Sequence, residues 1–129
     1  MKEIKTYIQR TSITLKEARD VIQHRLKGRG ISITISRLEL ADIEVDIYDG
    51  VDTDLLCIIG EVKTRATPNT IEEVDKEIEE LCSKYPSYLR RKVIKAIYAM
   101  QVAEEAVKEA ERRGIWLVTA SKDLTPLIV

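Results

Sequence analysis

The sequence predicts an α/β protein with a mixed central sheet flanked by helices. Three observations carry that reading. Apolar spacing switches from a helical period to strict alternation near residue 31, and back to a helical period after residue 70. Three strand patterns follow one another before helix and strand patterns begin to alternate. A meander followed by crossovers builds a mixed sheet with helices on its faces. The 129 residues are expected to form one domain, 1–129, able to bury roughly two thirds of the unfolded surface.

In chain order, residues 1–13 are ambiguous, with Ile4 and Ile8 fitting one face of a short helix. A start signal stands at Thr14-Leu15-Lys16-Glu17, where Thr14 can cap and Glu17 can reach back. The helix stripe is Leu15, Ala18, Val21, Ile22 and Leu26, and Gly28 and Gly30 stop it. Ile31, Ile33 and Ile35 alternate with Ser32, Thr34 and Ser36, a strand pattern. A second strand runs over residues 43–48, and Asp49-Gly50 is a turn dipeptide. The third strand, residues 55–63, begins apolar on both faces and so belongs in the middle of the sheet.

Thr70-Ile71-Glu72-Glu73 reads as a second capping box, followed by the stripe Ile71, Val74, Ile78 and Leu81 up to Pro86. Residues 90–113 admit either one long helix or a strand from 92 to 100 and a helix over 102–113. Val93, Ile94, Ile97 and Tyr98 favour the strand, and we take strand then helix. Gly114 ends that helix, and Ile115-Trp116-Leu117-Val118 is the last strand.

Composition limits the function classes. Apolar residues make up 44% and charged residues 33%, too polar for a membrane protein and too apolar for a disordered chain. No apolar run approaches the roughly 20 residues that span a bilayer. No secretory signal is visible at the start, so a cytoplasmic protein is expected. Net charge is −1, so any nucleic-acid contact requires a local basic patch. Abundant Lys, Glu, Arg and Ile, with Phe absent and Asn nearly so, match the preferences of thermophilic proteins. Cys57 and Cys82 lack metal or redox spacing and read as small buried residues.

On the pleat of the third strand, Leu55, Cys57, Ile59, Glu61 and Lys63 share one face. On the second strand, Glu44, Asp46 and Tyr48 are expected to share a face opposite Ile43, Val45 and Ile47. If the two strands pair through the Asp49-Gly50 turn, Asp46 and Glu61 converge. Neighbouring carboxylates repel and favour a cation between them; oxygen ligands suit Mg²⁺ or Mn²⁺. A lysine beside them can hold a water or a developing negative charge.

The run Glu44-Val45-Asp46-Ile47-Tyr48-Asp49-Gly50, followed by Gly60-Glu61-Val62-Lys63-Thr64, resembles the PD-(D/E)XK nuclease superfamily, and looks most like its small archaeal-type members. The resemblance spans roughly residues 14–120, with 15 residues from Asp46 to Glu61. It implies a restriction-endonuclease-like αβββαβ core with an additional C-terminal helix and strand. It implies that Asp46 and Glu61 bind Mg²⁺ or Mn²⁺ with the Val62 carbonyl assisting, and that Lys63 positions the attacking water. The implied reaction is hydrolysis of DNA phosphodiester bonds, structure-selective or weakly sequence-specific, with Arg65 and Lys63 on the backbone phosphates. A homodimer follows from the need for two sites to cut a duplex.

The chain also departs from the family pattern. No Pro precedes Asp46, and Asp42 and Glu44 compete for its role. Glu17 is the one accessory candidate on the first helix and already has a capping role. These departures favour a second expectation, an inactive nuclease-fold subunit that binds nucleic acid or serves in assembly. A third is a plain interaction protein in which Glu61 and Lys63 are a surface ion pair. His24 reads as a solvated helix residue and Trp116 as core.

Overall fold

The computed structural model describes residues 2–49 and 56–127, with side chains from residue 15 onward. The described residues form helix α1 (Lys2–Lys27), strands β1 (Ser36–Glu39), β2 (Glu44–Asp49) and β3 (Leu56–Ala66), and helix α2 (Pro68–Lys84). A 3₁₀ turn (Pro86–Tyr88), β4 (Lys92–Val102), α3 (Glu104–Arg112) and β5 (Ile115–Val118) follow. The sheet order is β1-β2-β3-β4-β5. β1, β2 and β3 are antiparallel neighbours, while β3, β4 and β5 run parallel. The expected α/β class and mixed sheet are therefore present, with β3 central and residues 92–102 a strand.

Alternating residues divide the core into two layers. Ala18, Ile22 and Leu26 of α1 pack with Ile47, Ile58, Ala96, Tyr98 and Trp116 on one face. Ile71, Val74, Ile78 and Leu81 of α2, with Ala106 and Ala110 of α3, pack with Ile59, Ile97 and Leu117 on the other. Each fully buried Ile or Leu contributes roughly 1.5–3 kcal/mol, so both helix layers are integral to the fold. Asp75, buried on α2, accepts hydrogen bonds from Lys95 of β4 at 2.8 Å and from Arg113, just past α3, at 3.0 Å. Burial opposes the Asp75 charge, but these two partners win and hold its carboxyl below the usual range.

Several expectations are corrected. The first helix does not start at Thr14; it is continuous from Lys2, because no Gly or Pro interrupts residues 2–13. Glu17 therefore lies within the helix rather than in a capping box. Residues 31–35 join no ladder, and the edge strand begins at Ser36. Ile31 and Ile33 still pack on the α1-side core, and the Ile35 N–H donates to Gln23 Oε1 at 2.8 Å. Alternation there reports a one-sided segment lying against a helix. The α2 capping box is formed by Thr67 and Thr70, with Pro68 in the first turn, since proline is pre-organised for that position. Cys82 is half-buried, whereas Cys57 is buried. The Asp49-Gly50 turn lies outside the described residues beyond Asp49.

Candidate metal centre

The β2–β3 register pairs Tyr48 with Ile59 and Ile47 with Gly60. One step further along the same register sets Asp46 opposite Glu61. The expected neighbourhood of these two carboxylates is therefore met, but the expected pleat of β2 is not. Ser36 opposes Tyr48 while Leu38 opposes Val45, so β2 carries one extra residue between those pairs. This bulge breaks the alternation. Val45 and Tyr48 end in the α2-side core and Ile47 in the α1-side core. Glu44, Asp46 and Tyr48 accordingly do not form the single face that simple alternation predicts.

At the bulge the Asp46 side chain replaces a ladder partner. Its Oδ2 accepts the Val62 N–H at 3.0 Å, tying β2 to the peptide that follows Glu61. Its backbone carbonyl accepts from Arg19 Nε of α1 at 3.1 Å. Asp46 is half-buried, and contacts from two elements fix its position.

Glu61 continues the face of Cys57 and Ile59, sits beside Ile97 in the β3–β4 register, and is only 6% exposed. Its Oε1 is buried without a hydrogen-bond partner. Burial, then a hydrogen bond and the negative charge of Asp46, then the charge of Glu77, push the Glu61 carboxyl up to about 9; Lys63 opposes the rise. Two carboxyl groups close enough to hydrogen-bond can share one cation, and an orphaned buried oxygen is a group that needs one. Among the described residues, no three Asp, Glu, His or Cys side chains gather into one ligating group. The donor set thus fits a hard ion that takes one or two carboxylates and keeps its waters, the habit of Mg²⁺.

The remaining sequence candidates divide. Lys63 is half-buried and electrostatically coupled to Glu61. Arg65 is exposed at the end of β3. Glu17 is exposed on α1, where burial first and its negative charge second raise the Tyr98 hydroxyl. Tyr98 pairs with Val62, so Glu17 faces the α1 side of the same strands. Glu44 is exposed and ion-paired with Arg37. Asp42 is drawn to the end of α2 by Lys84 Nζ at 2.8 Å and the Tyr85 hydroxyl at 2.5 Å. Those bonds hold its carboxyl below the usual range. Asp42 and Glu44 are thus engaged elsewhere.

Sequence reasoning missed Arg19 and Glu77. The one signal for Glu77 was its place beside Ile78 in the α2 stripe, which sets that side of the helix over the sheet. Arg19 follows the stripe residue Ala18 in the same way.

Fold and site together define a mixed-sheet α/β protein with a pair of acidic residues across β2 and its central strand β3. A family model described as "Domain of unknown function (DUF8196)" matches residues 16–127, and the chain belongs to that family. Comparison with curated proteins and with solved structures gives no match.

Proposed function

We propose that the protein is a Mg²⁺- or Mn²⁺-dependent nuclease of the restriction-endonuclease-like type, hydrolysing DNA phosphodiester bonds. The observation that carries the reading is the buried, unpartnered Glu61 Oε1 next to Asp46. The order of helix, three-stranded meander, helix and parallel strand also supports it. Asp46 and Glu61 would hold the ion, with the Val62 carbonyl as a further oxygen. When bound, the ion polarises the phosphoryl oxygen and lowers the pKa of water. Asp46 is pre-set for its part by the Val62 N–H and by Arg19. Lys63 orients the attacking water and offsets negative charge beside Glu61. Arg65 neutralises a backbone phosphate beside the cut. Two copies related by a two-fold axis would serve the two strands of a duplex.

The test is cleavage of labelled single-stranded, duplex and branched DNA, with Mg²⁺, with Mn²⁺ and with EDTA. Asp46→Ala, Glu61→Ala and Lys63→Ala should each lower the rate by at least about 10²-fold while circular dichroism stays unchanged, as loss of charge stabilisation does at such sites. Equal activity in all three would reject the assignment. Size-exclusion chromatography with light scattering tests the dimer. The engagement of Asp42 and Glu44 in ion pairs favours a second reading, a nuclease-fold subunit that binds nucleic acid without cutting it. Metal-independent binding with no product would select that reading.

A further inference from the structure

We infer that β1 is the interface between two copies of this chain, which pair edge to edge about a two-fold axis at Leu38 and join their sheets into one. The inference gives the dimer its contact surface and does not rest on the nuclease reading.

The sheet has two edges, β1 and β5, and among the described residues only the β5 edge is covered. Beside β5 the Leu117 carbonyl accepts the Leu124 N–H at 2.8 Å. The Thr125 hydroxyl accepts the Leu117 N–H and donates to the Ile115 carbonyl. An edge covered in this way is closed to another strand. On β1 the Leu40 N–H donates to the Ile43 carbonyl at 2.8 Å. The main-chain groups of Leu40, and of Leu38 two residues earlier, therefore face β2, and those of Arg37 and Glu39 face away from the sheet. Among the described residues, nothing bonds to these outward groups. Two residues before Arg37 the Ile35 N–H is taken by Gln23 Oε1 at 2.8 Å, which ends the open stretch.

The side chains select the occupant. Antiparallel registers centred on Arg37, Leu38 or Glu39 all bring outward groups together. Centred on Arg37, the pairing sets two guanidinium groups opposite each other, and centred on Glu39 it sets two carboxylates opposite each other; like charges directly opposed are unfavourable. Centred on Leu38, it sets Arg37 opposite the partner's Glu39, and Glu39 opposite the partner's Arg37. Each Arg37 N–H then donates to the partner's Glu39 carbonyl, and each Arg37 carbonyl accepts the partner's Glu39 N–H. Leu38, half-buried against the α2-side core, meets the partner's Leu38 in the closely spaced kind of pair. The isolated chain is also short of positive charge here. Its own register sets Glu39 directly opposite Glu44, and Arg37 ion-pairs with both. A second copy brings a second guanidinium to Glu39.

Such pairing is isologous and stops at two copies, since the β5 edges are covered. Its axis is normal to the sheet. Glu61, on the face of Cys57 and Ile59 that packs towards α2, therefore lies on the same side of the joined sheet in both copies.

The test is sedimentation velocity of the full chain over a concentration series, with amide hydrogen exchange as a second readout. The short strand puts the contact at the small end of specific interfaces. The wild type should accordingly show a reversible monomer–dimer equilibrium, and the Arg37 and Glu39 amides should exchange more slowly as concentration rises. Arg37→Glu alone and Glu39→Arg alone each set like charges opposite one another, and should weaken the dimer by about tenfold or more. Mixed in equal amounts, these two variants are complementary and should form a heterodimer as strong as the wild-type dimer. A chain carrying both substitutions should dimerise by itself.

A wild type that stays monomeric at every concentration would overturn the proposal. So would a dimer that both single variants leave intact, a mixture that stays monomeric, or association that runs past two copies. A dimer without any cleavage sinks the nuclease reading alone, while metal-dependent cleavage by a strict monomer sinks the interface alone.

Discussion

Glu61 joins burial to charge in one side chain, and its titration has a definite sign. Its carboxyl is pushed up to about 9 in the folded protein against 4.5 for the free group. Between those values the folded chain holds a proton that the unfolded chain has released. In metal-free protein the stabilising contribution is complete below about pH 4.5 and is lost as pH rises through about 9, with a slope approaching about 1.4 kcal/mol per pH unit. Urea midpoints measured in EDTA from acid to alkaline pH should fall accordingly. Glu61→Gln, a neutral isostere, should flatten the profile and exceed the wild type on the alkaline side. A divalent cation favours the carboxylate, so binding should release a proton, and Mn²⁺ affinity should rise with pH up to about 9. An identical pH profile for wild type and Glu61→Gln would show that this carboxyl does not titrate in that window. Asp75 has the opposite sign. Its lowered pKa gives stability that is present at neutral pH and lost as pH falls through the folded value.

β3 shows which features of an element the sequence discloses. The apolar opening of residues 55–63 placed it at the centre of the sheet, and Glu61 with Lys63 at its end marked the site, because both signals are local to the strand. The bulge in β2 was not legible: it depends on how β1 pairs across from Val45 and Tyr48, and nothing within β2 records that. Residues 31–35 misled for a related reason, since alternation reports which side chains are buried and not whether the backbone has a strand partner. Arg19 and Glu77 reach the site only through tertiary packing. Gly60 lies hard against the backbone of β4. A Cβ there would meet the Ala96 carbonyl oxygen at 2.2 Å and its carbon at 2.9 Å. Those atoms belong to the backbone of β4 and cannot swing aside. Gly60→Ala should therefore part β3 from β4 next to Glu61, at a cost of about 1–3 kcal/mol or more. Chemical denaturation should show the loss, and the proposed nuclease function adds a cleavage defect beyond the unfolded fraction. A stable, fully active variant would mean that the two strands separate without disturbing the site.

Across the whole molecule, the α1 layer is held to the rest of the fold at two points by different chemistry. Near the site the link is Arg19 on the Asp46 carbonyl. At the second point it is Asp123, in the segment that turns back after β5. Asp123 accepts from Arg25 at 2.8 Å and from the indole N–H of Trp116 at 3.0 Å, while Arg25 also donates to the Ala120 carbonyl at 2.9 Å. One carboxylate thus joins α1, β5 and the C-terminal segment. Beneath it, the Thr125 hydroxyl donates to the Ile115 carbonyl and accepts the Leu117 N–H, which seats that segment on β5. Trp116 is almost fully buried, so removing its acceptor strands an N–H in the core at roughly 1–3 kcal/mol. It also leaves the Arg25 guanidinium without its counter-charge. Asp123→Ala should therefore destabilise more than Asp123→Asn, which keeps an acceptor for the indole and loses only the charge. Trp116 is the single tryptophan, so its fluorescence reports this junction directly. The emission maximum should shift to the red in Asp123→Ala, and the tilt of α1 should follow, altering the Arg19 contact less than two turns away on the same helix. Equal stability and emission for both variants would mean that apolar packing of Ala18, Ile22 and Leu26 seats the helix unaided, and that the two contacts are not coupled.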